Sequence, residues 1–224
     1  MSSVEQLIEK ARIAQQVYEN YDQGAVDEVV TAVAWALIEP GRNRELSQMA
    51  VETTGLGKIE DKILKNERKT LGLLRDLRGA KSVGVISEDE ELEITEIARP
   101  VGVVAAVTPS TNPVATPTNN TLNALKGRNA IIIAPSPAGE KVCSRLLQYF
   151  HEELRRIGAP VDLIQQLSSP VDKIRTLELM KLADWLIVTG SQSNVRAAYS
   201  SGTPAIGVGA GNVTVIVDET ADLD

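Results

Sequence analysis

Between Val101 and Pro137 the chain carries two short polar loops, each directly behind an apolar run. Val101–Val107 leads into Thr108-Pro109-Ser110-Thr111-Asn112-Pro113, and Ala130–Ala134 leads into Pro135-Ser136-Pro137. Hydroxyls, a carboxamide and free backbone N–H groups are the donors that suit an anion or a developing oxyanion. Asn112 can cap a following helix, and Pro113 suits its first position. Thr189-Gly190-Ser191 repeats the arrangement behind Trp185–Val188. Gly207-Val208-Gly209-Ala210-Gly211-Asn212 reads equally as a tight turn between two strands or as a loop open to a ligand.

Other reactive groups are few. Cys143 lies within a long helical stretch beside Val142, Leu146 and Leu147. A reactive thiol needs a base, a cation or a helix N-terminus to hold its thiolate. Lys141 and Arg145 point elsewhere on such a helix, so Cys143 is expected to be packed and inert. One cysteine permits no internal disulfide and no cysteine metal site. The single histidine, His151, sits beside Glu152 and Glu153 and reads as a solvated surface residue; no metal site is expected.

The elements that must position these loops follow from periodicity. Apolar runs near 101–107, 130–134, 162–166, 184–188, 204–208 and 213–217 read as strands. Helices are expected near 113–126, 137–157, 170–182 and 191–200, the third opening on Ser169-Pro170. Uninterrupted apolar strands are those buried on both faces of a parallel sheet. Strands alternating with helices make a doubly wound α/β sheet, where ligands bind at the carboxyl ends of the strands. No G-x-G-x-x-G follows the first strand, so the usual dinucleotide fingerprint is missing.

Residues 1–80 read as helical. Ser3 and Gln6 form a capping box, and Val4, Leu7, Ile8, Ala11, Ala14 and Val17 make one apolar face. Further helices are expected over Ala25–Glu39, stopped by Pro40-Gly41, then Asn43–Thr54 and Ile59–Arg78. Ser82–Ser87 and Leu92–Ala98, joined by Glu88-Asp89-Glu90-Glu91, read as a β-hairpin over 82–98. Trp35 and Trp185 lie in apolar runs and are expected in the core.

Composition narrows the function. The 224 residues are 43% hydrophobic but only 3% aromatic, so the core must be aliphatic. The net charge of −7 supplies no basic footprint for nucleic acid. No apolar run is long enough to span a membrane. Glu5, Glu9 and Lys10 interrupt the first segment, which is therefore no secretory signal and carries no extra amphipathic leader; a cytoplasmic protein is expected.

Four stretches, PVGVVAAVTPSTNP, ALKGRNAIIIAPSP, DWLIVTGSQSNV and AAYSSGTPAIGVGAGNVTVIVDETADLD, together resemble the aldehyde dehydrogenase superfamily, specifically its CoA-acylating branch. The resemblance runs along essentially the whole chain. It implies an N-terminal helical segment (1–80), an oligomerisation-type hairpin (81–99) and an NAD(P)-binding Rossmann-like domain (100–224). It implies oxidation of a small aldehyde with NAD or NADP, through a thioester on a cysteine, with coenzyme A releasing the acyl group. Asn112 would be the oxyanion donor. Thr108, Pro109, Ser110, Ser136, Gly190, Ser191, Val208 and Gly209 would line the cofactor cleft. Partners would be the aldehyde, CoA and further copies of the chain.

Four departures from hydrolytic members of the superfamily matter. Gly207 stands where they carry a water-activating glutamate, which favours an external thiol over water. A positive φ at Gly207 would resist restoring that acid. Ala134 and Pro137 stand where they carry a ribose-binding lysine and acid, so NADP is admitted. The amide appears at Asn112, with Thr111 where they have asparagine. The family nucleophile lies beyond Asp224, so the chain reads as a cofactor-binding portion ending before the catalytic domain. The alternatives are a hydrolytic enzyme, or a catalytically silent nucleotide-binding or assembly module. Acetaldehyde, propionaldehyde and sulfoacetaldehyde users share this loop grammar, with the APSP and TPSTNPVATPTN runs nearer the sulfoacetaldehyde enzymes.

Overall fold

A computed structural model of the chain describes residues 2–209, 211 and 214–221. Four helices come first: α1 (Ser3–Tyr18), α2 (Gln23–Ile38), α3 (Pro40–Thr54) and α4 (Ile59–Leu77). A hairpin follows, β1 (Gly84–Asp89) and β2 (Ile94–Ala98). The remainder alternates: β3 (Val103–Thr108), α5 (Ala115–Lys126), β4 (Ala130–Pro135), α6 (Glu140–Arg156), β5 (Ile164–Gln166), α7 (Lys173–Leu182), β6 (Trp185–Thr189), α8 (Gln192–Tyr199) and β7 (Ala205–Val208).

β3 to β7 form one five-stranded parallel sheet in the order β5-β4-β3-β6-β7. Every residue of β3 and β4 is buried, as uninterrupted apolar strands demand. Right-handed crossovers in this order place α5 and α6 on one face and α7 and α8 on the other. α2 lies over α5 and α6, whereas α1 contacts β3, β4 and α7. One continuous aliphatic core therefore includes Val4 to Ala50 as well as the sheet. Tyr18 Oη donates to Leu125 O at 3.0 Å, and Gln165 Nε2 donates to Leu7 O at 3.1 Å, tying α1 to α5 and to β5.

Several local expectations are corrected. The capping box of α1 is Ser2 with Glu5, one residue ahead of Ser3 and Gln6. Val17 is exposed. Pro40 stops α2 but also starts α3, because the Glu39 carboxylate accepts from Gly41 N and Arg42 N. Asn112 and Pro113 do not open α5, which begins at Ala115 behind Val114. α7 is capped by Asp172, whose side chain accepts from Arg175 N, and Ser169-Pro170 lies upstream as a cis peptide. Trp35 is 44% exposed rather than core. His151 is half-buried, with Nε2 2.7 Å from Ile164 O, so it fastens α6 to β5. Residues 214–217 form no strand, and Val213 of the strand expected over 213–217 lies outside the described residues.

The hairpin strands pair only with each other, and their residues are exposed apart from the half-buried Ala98. Arg128, at φ 58° between α5 and β4, donates to Ala98 O at 2.9 Å and Glu19 O at 2.7 Å, fixing the hairpin's base.

Gly102, immediately before β3, is under two constraints. Its φ is 119°, and a Cβ there would overlap Asp184 Oδ2. That carboxylate accepts from Val103 N at 2.8 Å and pairs with Arg12 at 2.7 Å. Gly102→Ala is expected to lower stability by about 2 kcal/mol, read as a lower urea midpoint with unchanged m. An unchanged midpoint would contradict this account.

Candidate functional site

The carboxyl ends of β3, β4 and β6 open onto a cavity of about 790 Å³. Its walls come from the three loops singled out above and from α7. Thr108 pairs with Pro135 at the end of the sheet, and Ser136 N donates to Thr108 O at 3.0 Å, so the first two loops are locked together. A Cβ on Gly139 would lie 3.0 Å from Pro113 Cβ and 3.1 Å from Ser136 Oγ; only glycine lets the loops meet this closely. On the far side Gly190 N donates to Val208 O at 3.1 Å. Ser191 caps α8, its side chain accepting from Asn194 N at 3.3 Å and lying 2.8 Å from Ser193 Oγ. Ser191, Ser193 and Asn194 at that helix start line the same cavity.

Of the residues expected at the cofactor cleft, the cavity gathers Thr108, Pro109, Ser110, Ser136, Gly190, Ser191 and Gly209. Val208 is not among its lining; it is 56% exposed on edge strand β7. Asn112 also lies outside the lining, half-buried, and its side chain makes no hydrogen bond among the described residues. Ala210 and Asn212 of the glycine-rich loop fall outside the described residues.

Gly207 is corrected in its physical reason. Its φ is not in the left-handed region. A Cβ there would lie 2.7 Å from Val195 Cγ1 and 3.1 Å from Tyr199 Cε2, and Gly207 N donates to Tyr199 Oη at 3.0 Å. Close packing of α8 on β7 demands the glycine.

Sequence reasoning expected the helix near 170–182 but not its place as a wall of the cavity. Val171, Asp172, Lys173, Thr176, Leu177 and Met180 line the cavity. The crossover from β5 to β6 must pass the intervening β4 and β3, which carries α7 over their ends. That follows from strand order, which the apolar pattern does not encode.

Cys143 is fully buried, outside the cavity lining, its thiol pushed up to about 12 by burial and then by the Glu140 charge. No cluster of three His, Cys, Asp or Glu residues able to hold a metal occurs among the described residues. No helix among them is long and apolar enough to cross a membrane.

The donor set fits a dinucleotide. The cleft lies at strand ends, presents a capped helix start, and is lined by the hydroxyl-bearing Thr108, Ser110, Ser136 and Ser191. A doubly wound parallel sheet with such a cleft defines a Rossmann-like fold. The chain belongs to the aldehyde dehydrogenase family, whose profile matches residues 1–224. It is 57% identical over 222 residues to the sulfoacetaldehyde dehydrogenase (acylating) of Cupriavidus necator, covering 99% of this chain and 45% of that protein. It superimposes with a TM-score of 0.89 on an acetylating aldehyde dehydrogenase from Geobacillus thermoglucosidasius, at 42% identity, over 94% of this chain and 46% of that one. A Rhodopseudomonas palustris propionaldehyde dehydrogenase with bound CoA and an acylated cysteine matches with a TM-score of 0.80 at 29% identity, over 99% and 50% of the two chains. The chain spans about half the length of the curated sulfoacetaldehyde dehydrogenases it matches.

Proposed function

We propose that this chain is the dinucleotide-binding part of a CoA-acylating aldehyde dehydrogenase, taking NAD or NADP in the cleft between β4, β3 and β6. The single observation that carries the reading is the convergence of Thr108, Ser136, Gly190 and Ser191 on one cavity. The cofactor, when bound, accepts a hydride from the aldehyde carbon. Gly190 leaves room for a pyrophosphate, since a Cβ there would have only Asn194 Nδ2 near it, at 3.7 Å. Ser191 and the start of α8 supply donors to it. Asn112 is the oxyanion donor. Its amide is not spent on capping α5, which supports that role. The packing around Gly207 leaves no room for a water-activating carboxylate, which supports release by CoA over hydrolysis.

The aldehyde is small and polar, sulfoacetaldehyde by similarity to the Cupriavidus enzyme. The hairpin at 82–98, with two unpaired edges, is the contact between copies in a cytoplasmic homo-oligomer. Residues 1–80, 81–99 and 100–224 divide the work into scaffold, assembly and cofactor binding.

Equilibrium binding of NAD+ and NADP+ to the purified chain tests the cleft. Saturable binding is expected, weakened at least about tenfold by Gly190→Val with folding intact. No binding of either dinucleotide, or binding indifferent to that change, overturns the reading. The isolated chain is also expected to oxidise no aldehyde, because its one thiol is buried. CoA-dependent turnover abolished by Cys143→Ala would contradict this.

A further inference from the structure

We propose that Lys65, on α4, is a site of N-acylation by acyl-CoA, set in a row of like charges that draws in the phosphates of the thioester. The inference rests on the proposed function only for its reagent, the thioester which that reaction yields.

The sequence sets the cluster. On a helix a residue meets those three and four places away. For Lys65 these are Asp61, Lys62, Arg68 and Lys69, three cations against one carboxylate. Asp61 is exposed and enters no ion pair among the described residues. No carboxylate oxygen of a described residue lies within 4.0 Å of Lys62, Lys65 or Lys69. The row runs from Lys62, only 6% exposed, through half-buried Lys65 to exposed Lys69. The Lys65 amine has no hydrogen-bond partner among the described residues and is open to solvent.

Two consequences follow from a cationic row without counter-charges. Burial, and then the Lys69 charge, holds the Lys65 ammonium below the usual lysine range. Burial, and then the Lys65 charge, does the same to Lys62. A lysine desolvated beside another cation is an activated nucleophile. The same charges attract a polyanion, and the phosphates make CoA one.

In the step itself the neutral amine of Lys65 attacks the thioester carbonyl. The N–C bond forms as the C–S bond breaks, and the proton lost by nitrogen is taken up by the departing thiolate, so CoA leaves as the free thiol. The product is an amide, and no oxidant or further reactant is needed. The amide carries no charge. Acylation therefore relieves the repulsion on Lys62 and Lys69 and confines the label to one lysine of the row.

The test is incubation of the folded chain with acetyl-CoA at about pH 8, the acetylation rate of each lysine being followed by peptide mass spectrometry. Lys10 is the internal reference. It is exposed on α1, and the residues three and four places from it, Gln6, Leu7, Ile13 and Ala14, are uncharged. Lys65 is expected to be acetylated at least about threefold faster than Lys10, a preference lost in urea. Lys69→Gln should lower the preference and Lys69→Arg should keep it; raised salt should lower it too. Lys65→Arg should abolish the label while Lys10 keeps its rate. Equal rates at Lys65 and Lys10, or a preference untouched by Lys69→Gln, overturns the proposal. Titration of the same sample with NAD+ and NADP+ tells the two readings apart. Dinucleotide binding without preferential acetylation overturns only this site, and preferential acetylation without dinucleotide binding overturns only the proposed function.

Discussion

In the folded chain at pH 8, Cys143 is expected to react with a thiol reagent at least about 10³-fold more slowly than in urea. With the thiol near 12, the thiolate fraction at that pH is about 10⁻⁴, against roughly a fifth for an unperturbed cysteine. Val142 and Leu146, fully buried on the same helix, also bar the reagent. The pH dependence has a definite sign. A folded thiol raised above its unfolded value leaves stability level below the unfolded value, about 8.5, and lowers it as pH climbs toward 12. Urea midpoints measured from pH 8 to 10.5 should therefore fall, with a shallower fall in Cys143→Ala. Equal labelling rates for folded and unfolded chain would show that this thiol is reachable and reopen its candidacy as a nucleophile.

Gly207→Glu is expected to unfold the chain, not to create a hydrolase. The first added carbon meets Val195 at 2.7 Å and Tyr199 at 3.1 Å, so α8 must lift from β7 before the carboxylate finds any place. Overpacking of this kind costs about 1–3 kcal/mol for the Cβ alone, and the longer charged side chain adds to it. Gly207→Ala should already lower the urea midpoint clearly. Gly209→Ala is the matched control. Its Cβ would lie nearest the Gln192 side-chain amide, at 2.6 Å, and that side chain can turn away. The prediction fails if Gly207→Glu melts with the parent chain.

The sheet was the most legible part of the sequence. β3 and β4 are buried on both faces, so their apolar runs are unbroken and mark their own limits within two residues. Helix starts were less legible because one sequence admits neighbouring solutions. Both Ser2/Glu5 and Ser3/Gln6 satisfy the capping-box spacing, and only the folded geometry selects the first. Pro40 carries opposite meanings for the helices on its two sides. α2 is apolar nearly all round, so periodicity could not tell that Trp35 faces outward. At the cleft, loops adjacent in sequence to strand ends were found, whereas the α7 wall was not, because it depends on the order in which strands associate. Val208 entered the expected cleft through the resemblance, and alternation on β7 turns residues 206 and 208 outward.

The joining of α1 to β3, β4 and α7 governs how the chain comes into being. Gln15 donates to Arg128 O, a contact across 113 residues, and Gln165 reaches Leu7 O across 158. A nascent chain emerges amino end first, so α1 must wait with its apolar face unmet until the strands it covers have been made. Contacts this distant in sequence make folding slow, because each closes a long loop before anything rewards it. The protein is therefore most exposed to misassociation and proteolysis while it is being synthesised.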